Sequence, residues 1–403
     1  MSKPGVRLVA ALFLILLAVA DVAATHALLT SRFPGANDFY SRWAGARAFW
    51  TQGLSPYSDE ASAQIEIGIY GRRARPDEDP GPFAYPFYTV FLLAPLAFVP
   101  YEWAEAIWLT VLQFALLGGV IGSMRLIGWR PRPALLATTA LWAILFYPST
   151  RAILLGQFAV LIFACAVAML LALRARRDLL AGAFLALTTI KPQMVFLLVP
   201  LVALWAAAGR RWRVLAGAGA TLALLAGLSF ILVPTWLSDF VSQMLRYPSY
   251  TAIGSPVWII TRYYWPALGA PGEIILSLAL LAWALATWAR ALRRPASWPT
   301  FLWTLGVTLI VTNLIALRTA TTNYVILFIP LLQGLALLER RWPRWGGWAI
   351  AGVQFALLVG LWALFLTTVR AKFEHPIMYL PLPIGLALLF AFGRPALEQE
   401  SPA

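Results

Sequence analysis

Hydrophobic residues in this chain fall into long runs, and polar residues collect between the runs instead of alternating with them. Most runs are about 16 to 24 residues long, which suits helices crossing the roughly 30 Å hydrocarbon core of a bilayer. The alternating pattern that a spanning β-barrel needs is not present. Twelve helical spans are predicted, at about 6–29, 103–123, 133–148, 152–173, 178–190, 192–208, 213–234, 273–290, 300–317, 323–338, 346–368 and 376–392. One more apolar stretch, 86–99, is short and bracketed by Pro86, Pro95 and Pro100. Proline cannot continue the helical ladder, so this stretch reads as a re-entrant or surface helix. Two long loops remain, 30–102 and 235–272. The chain thus reads as an all-α polytopic membrane protein, a single membrane-embedded domain over 1–403.

Composition agrees: 61% of the 403 residues are hydrophobic and 12% charged, against about 25% charged in soluble domains. The lone cysteine, Cys165, lies in an apolar run and reads as a small buried hydrophobe. Two histidines, His26 and His375, are too few for a histidine-rich metal site. Residues 1–27 resemble a signal peptide, with Lys3 and Arg7 before an apolar core. In a polytopic chain they read as an uncleaved first span.

Charge gives the orientation. In the twelve-span arrangement one set of short loops carries 18 basic and four acidic residues, and the opposite side carries 13 basic and 12 acidic. Positive residues collect on the cytoplasmic side. Both termini are therefore expected to be cytoplasmic, with the two long loops on the extracytoplasmic face of the plasma membrane. The net charge of +14 reads as this topology signal, not as a nucleic-acid surface. Long loops offer enough sequence to build a site, so function is expected on the outer face.

The first long loop contains Asn37-Asp-Phe-Tyr-Ser-Arg-Trp43. Phe39, Trp43, Ala46 and Trp50 share one helical stripe, which predicts an amphipathic interfacial helix over 39–50. Asp38 stands where an N-cap belongs, and Gly53 and Pro56 mark the end. Asp38 is either that cap or a general base held near the membrane surface. Tyr40, Trp43 and Tyr57 could stack on sugar rings or anchor the interface. Further on, Asp77, Glu78 and Asp79 could bind a divalent cation, but a solvated loop is the simpler reading.

Several polar residues stand at expected outer ends of spans: Arg151, Gln157, Lys191, Gln193 and Arg318. Lysine occurs at only three positions, Lys3, Lys191 and Lys372. At Lys191-Pro-Gln193 it interrupts an apolar region, and the proline biases Ile190 away from helix. Half-helices meeting at such a break often line a polar cavity; a lysine there otherwise snorkels to the interface. Cations grouped at one end of a bundle suit an anionic lipid phosphate. Asp21 lies inside the first span, where Thr25 one turn on is a candidate partner, and His26 reads as interfacial.

Four stretches, in order along the chain, resemble the polyprenyl-phosphate-sugar-dependent membrane glycosyltransferases of the C-type fold, specifically glycosyltransferase family 87, which includes bacterial alpha-mannosyltransferases. They are Asn37-Asp-Phe-Tyr-Ser-Arg-Trp with Gly53-Leu-Ser-Pro-Tyr57; Phe83-Ala-Tyr-Pro-Phe with Pro95-Leu-Ala-Phe-Val-Pro100; Leu155-Gly-Gln-Phe158; and Lys191-Pro-Gln193. The match in order and spacing runs over residues 1–210. Beyond 211 only the span count and a large loop agree, and Arg318-Thr-Ala-Thr-Thr-Asn-Tyr324 stands where the family often has a Ser-Pro or His-bearing segment.

The resemblance implies the C-type fold and inverting transfer of a sugar, mannose or another hexose or pentose, from a polyprenyl phosphate to a lipid or glycan acceptor. It implies an Asp base, which maps onto Asp38, and neither nucleotide sugar nor cofactor; often no metal is used. Lys191, with Arg151 or Arg318, would hold the donor phosphate. Asn37, Gln157 and Gln193 would position sugar or phosphate oxygens, with Tyr40, Trp43 and Tyr57 beside them. Membrane lipids are the remaining expected partners, and nucleic acid is not one. The competing classes are a flippase for lipid-linked sugars, which would place polar residues near the bilayer midplane, and an outer-face polysaccharide polymerase or ligase.

Overall fold

The computed structural model describes residues 3–34, 38–250, 254–293, 297–370 and 374–393. Asn37 lies outside them. All regular structure among these residues is helical: α1 (Lys3–Thr25), α2 (Phe39–Gln52), α3 (Asp59–Tyr70), α4 (Thr89–Ala97), α5 (Tyr101–Ile127), α6 (Pro133–Leu145), α7 (Tyr147–Leu154), α8 (Ala159–Arg174), α9 (Asp178–Thr188), α10 (Leu198–Ala208), α11 (Trp212–Leu232), α12 (Trp236–Tyr250), α13 (Pro256–Trp258), α14 (Gly269–Arg293), α15 (Trp298–Ile315), α16 (Phe328–Arg341), α17 (Gly346–Thr368) and α18 (Pro381–Phe392). The chain forms two compact units, one of 1–115, 153–157 and 226–250, the other of 116–152, 158–225 and 251–403.

Each of the twelve predicted spans is helical over most of its length. Among the described residues, seven helices are long and apolar enough to cross a membrane, and an eighth forms if α7 and α8, bent by 114° at their junction, count as one broken span. The four regions 133–145, 178–188, 198–208 and 376–392 are shorter. An 11-residue helix such as α9 or α10 reaches only about 17 Å, well short of a bilayer core. The expectation of about twelve full spans therefore reduces to seven or eight by length and composition.

In the first unit, α2 is a core element. Phe39 and Ala46 are fully buried and Trp43 nearly so. Its side chains reach carbonyls of α4 at intervals of about one turn: Trp43 Nε1 to Leu96 O, Arg47 Nη1 to Ala97 O and Trp50 Nε1 to Val90 O, each 2.9 Å. The last carbonyls of a helix have no partner within it, and Trp43 and Arg47 supply two. The stripe predicted to lie in the membrane interface is thus packed on protein. Gly53 ends α2 in the left-handed conformation, φ 70°. The 86–99 stretch forms only the nine-residue α4, too short to span. Asp21 accepts hydrogen bonds from Thr110 Oγ1 (2.7 Å) and Gln113 Nε2 (3.1 Å) of α5; these satisfy the intramembrane carboxylate, not Thr25. His26 stacks on Trp103 at 3.7 Å.

In the second unit, α15 is the axis: every residue from Phe301 to Leu314 is buried. Ser297 caps it, accepting from Thr300 N at 3.4 Å. Helices α9 and α11 cross at two glycines. A Cβ on Gly182 would stand 2.1 Å from Val214 O, and one on Gly217 would stand 2.3 Å from Leu179 O. Small residues let helix backbones approach this closely. The same crossing is tied at one end by the Arg211–Asp178 ion pair.

Candidate functional site

The first candidate constellation is built on the turn between α7 and α8. Gly156 has φ 64°, and a Cβ there would stand 2.5 Å from Phe39 Cβ and 3.3 Å from Trp108 Cδ1. Only glycine fits such a conformation and approach. Trp108 Nε1 donates to Gly156 O at 2.9 Å, and the Trp108 ring stacks on Phe39 at 5.1 Å. Gln157 is thereby fixed, 6% exposed, and its Nε2 donates to Asp38 Oδ2. Asp38 itself is exposed.

Asp38 occupies the N-cap position of α2 but makes no capping bond with its side chain; its own φ and ψ, −67° and −17°, are already helical. A capping side chain needs an extended backbone at that residue. The carboxylate is therefore turned to Gln157. One turn on, Arg42 Nη1 donates to the Asp38 carbonyl, and Nη2 donates to the Tyr85 hydroxyl at 3.3 Å. An oriented, exposed carboxylate with one oxygen engaged by an amide can still accept a proton from a hydroxyl.

The aromatic candidates fall around α2. Trp43 is 7% exposed and enclosed by Tyr101, Tyr40 and Arg47, so its ring serves packing. Tyr40 is half-buried, its hydroxyl against Gly68. Tyr57, half-buried, donates to Tyr85 O at 2.5 Å. Burial pushes the Tyr57 phenol up, and the Asp239 charge adds to this. Asp239 lies on α12, so the second long loop meets the first within this unit; Tyr88 and Trp236 also pack there, 6.1 Å apart.

Two of the acidic trio, Glu78 and Asp79, have partners within the loop. Arg72 forms a fork on Glu78, with bonds of 2.7 and 2.8 Å, and Arg75 N donates to Glu78 at 2.9 Å. The Arg72 bond, then the Arg75 N–H, lowers the Glu78 carboxyl to about 2. Asp79 accepts from Gly81 N at 2.9 Å. Although Asp79 as a residue is exposed, loss of water around its carboxyl raises it, the Asp38 charge adds to the rise, and Gly81 N–H and Arg42 oppose it. Asp79 is thus an electrostatic neighbour of Asp38.

The cationic candidates belong to the second unit. Lys191 is 5% exposed, enclosed by protein and not snorkelling. It precedes the tight turn Pro192–Met194 that separates α9 from α10, the break that the proline predicts. Gln193 in that turn is half-buried. Arg318 is half-buried, its guanidinium 6.0 Å from the Trp258 ring. Arg151 Nε pairs with Glu374 at 3.2 Å. Glu374 is buried, its side chain 4% exposed, and also accepts from Thr321 Oγ1 at 2.5 Å and from the Tyr147 hydroxyl.

Sequence reasoning missed Glu374 and the Asp79 neighbourhood of Asp38. The first had one signal, a carboxylate just before a late apolar helix. The second had none, because loop folding alone brings 79 towards 38.

In comparison with known proteins, residues 83–269 fit the family model of glycosyltransferase family 87. The matched region contains Phe83-Ala-Tyr85, Leu155-Gly-Gln-Phe158 and Lys191-Pro-Gln193, reaches beyond residue 210, and begins after Asp38. No curated protein and no solved structure matches.

Proposed function

From a chain that fits glycosyltransferase family 87 over residues 83–269 and so reads as a membrane glycosyltransferase, we propose that it moves a sugar from a polyprenyl phosphate to a lipid or glycan acceptor, with inversion at the anomeric carbon. The sugar is mannose or another hexose or pentose. The setting is the extracytoplasmic face of the plasma membrane, both termini cytoplasmic, within a C-type fold of about twelve membrane-inserted helices, four of them short.

The observation that carries this reading is the Gln157–Asp38 hydrogen bond. It holds an exposed carboxylate in one orientation and ties a residue inside the family-matched region to one outside it. In the proposed step Asp38 takes the proton of the acceptor hydroxyl. The acceptor oxygen forms its bond to the anomeric carbon while the bond from that carbon to the phosphate oxygen breaks. The electron pair leaves with the polyprenyl phosphate. Lys191, assisted by Arg151 or Arg318, stabilises the charge that grows on the leaving phosphate. Gln157 orients the base; Gln193, Tyr40 and Tyr57 contact sugar or phosphate. Asn37, which lies outside the described residues, is proposed to help position the substrate.

The test is transfer from a labelled polyprenyl phosphate mannose to membrane acceptors by the purified protein in detergent, with the product anomer read by NMR. An inverted product supports the reading. Labelled lipid that crosses a proteoliposome bilayer without a new glycosidic bond shows a transporter instead.

A further inference from the structure

Helix α12 stands in a stretch that the hydrophobic pattern reads as loop. It follows the end of α11 after Val233-Pro-Thr235, and both belong to the first unit. Pro234 has no N–H to donate, and Trp236 N donates to Val233 O at 3.0 Å in a turn, so the ladder of α11 is not continued. The Trp236 ring packs back on Phe230 of α11 at 5.4 Å.

The side chains of residues 236–246 fall into three sectors. Trp236 is buried, and Asp239, Phe240, Gln243 and Met244 are half-buried. Their spacing of three and four residues puts them on one side of the helix, the side packed on protein. There Trp236 meets Tyr88 at 6.1 Å, and Thr235 Oγ1 donates to Asp239 at 2.7 Å. The opposite side is exposed and carries two stripes, each with residues four apart. Leu237, Val241 and Leu245 form one, 45%, 45% and 78% exposed; Ser238, Ser242 and Arg246 form the next. The two charged residues of α12, Asp239 and Arg246, both stand off the apolar stripe. A helix on a water-facing surface turns its apolar stripe to the core, and here the core side is already a different one. A helix lying in a bilayer surface needs an apolar edge for acyl chains and a polar edge for headgroups and water.

The stripe also follows directly, along the chain, on a surface suited to lipid. Helix α11 is one of the seven long and apolar enough to cross a membrane, and its last turns leave Leu228, Phe230, Ile231 and Leu232 exposed. We propose that α12 is a membrane-surface helix. Its Leu237–Val241–Leu245 edge seats among acyl chains at the bilayer surface where α11 ends, and its Ser238–Ser242–Arg246 edge faces headgroups and water. The protein side of the same helix carries Trp236 to Tyr88, and the Asp239 charge acts on Tyr57. The seat therefore sets the depth of that part of the first unit against the bilayer.

The test places nitroxide labels on full-length protein in liposomes of phosphatidylethanolamine and phosphatidylglycerol. The labels sit on Leu237→Cys, Ser238→Cys, Val241→Cys, Ser242→Cys and Leu245→Cys, each in a Cys165→Ala background, with Ile231→Cys at the end of α11 as the lipid reference. Power-saturation electron paramagnetic resonance compares access of oxygen, which concentrates in lipid, with access of a water-soluble nickel chelate. The oxygen-to-nickel ratio at 237, 241 and 245 is expected to exceed that at 238 and 242 several-fold and to approach that at 231. High nickel access at all five positions places the helix in water and overturns the proposal. Low access of both reagents at 237, 241 and 245 shows a face covered by protein, a second copy included, and overturns it as well. The labelled side chains are exposed, so the substitutions remove no packing from the core. Should Cys165→Ala fail to fold, Cys165 is kept and the spectrum of labelled unsubstituted protein is subtracted.

Discussion

Gln157 donates a hydrogen bond to the carboxylate of Asp38, a residue 119 positions earlier in the chain. The bond takes Asp38 away from the helix-capping role its position suggests and leaves it oriented and exposed. If Asp38 is the base, Asp38→Asn should lower transfer about 10²- to 10⁴-fold with donor affinity unchanged. Labelled-donor transfer measured beside donor binding checks this; full activity in the Asn variant would remove Asp38 from the mechanism.

Gln157→Leu should keep the fold and lower kcat roughly tenfold, because it removes orientation but not the base. KM for the donor should stay near its starting value. A change confined to KM would instead assign Gln157 to substrate binding.

Gly156→Ala should do more harm than its size suggests. The added methyl would stand 2.5 Å from Phe39 Cβ on a backbone with φ 64°. Left-handed backbone in a residue with Cβ costs about 1 kcal/mol, and the clash adds to it. A lowered melting temperature in detergent, together with lost transfer, is expected. An unchanged melting curve would mean that the turn relaxes freely.

Glu374→Ala should destabilise the second unit. It would leave Arg151, Tyr147 and Thr321 without the carboxylate they share, a loss of about 3 kcal/mol for a buried group of this kind. Glu374→Gln should recover part of this, since an amide oxygen still accepts from Tyr147 and Thr321. Equal melting temperatures for the two variants would show that hydrogen bonding contributes little there and the lost charge dominates.

The loop at 72–81 should respond to acid. Glu78 is lowered to about 2 by Arg72 and Arg75, below its ordinary value of 4.5. Its contribution is therefore complete above about pH 4.5 and lost as pH falls through about 2. Asp79 is raised, so its ionisation opposes loop order as pH rises through its own titration. Hydrogen exchange at Arg75 N, which bonds Glu78, should quicken relative to its intrinsic rate only at the acid end. Arg72→Gln should move that change to higher pH. No such movement would mean that the fork does not hold the loop.

The hydrophobic pattern by itself determined that this is a helical membrane protein, where most of its apolar helices lie, and that Pro192 breaks one region into two short pieces, but not α3 or α12, which stand in stretches expected to be loop. Those properties follow from burial and backbone hydrogen bonding, which act locally along a chain. Order and spacing of four short stretches were enough for the family resemblance. The partners of individual polar groups were not legible. Asp38 reads as a cap until Gln157 reaches it, Asp21 turns out to be satisfied by α5, and the stripe of α2 faces α4 instead of lipid. Arg151 carries Glu374 from more than 200 residues away. A hydrogen bond or ion pair depends on ångström-scale approach between segments that have no fixed sequence separation, so only the tertiary structure decided which donor met which acceptor.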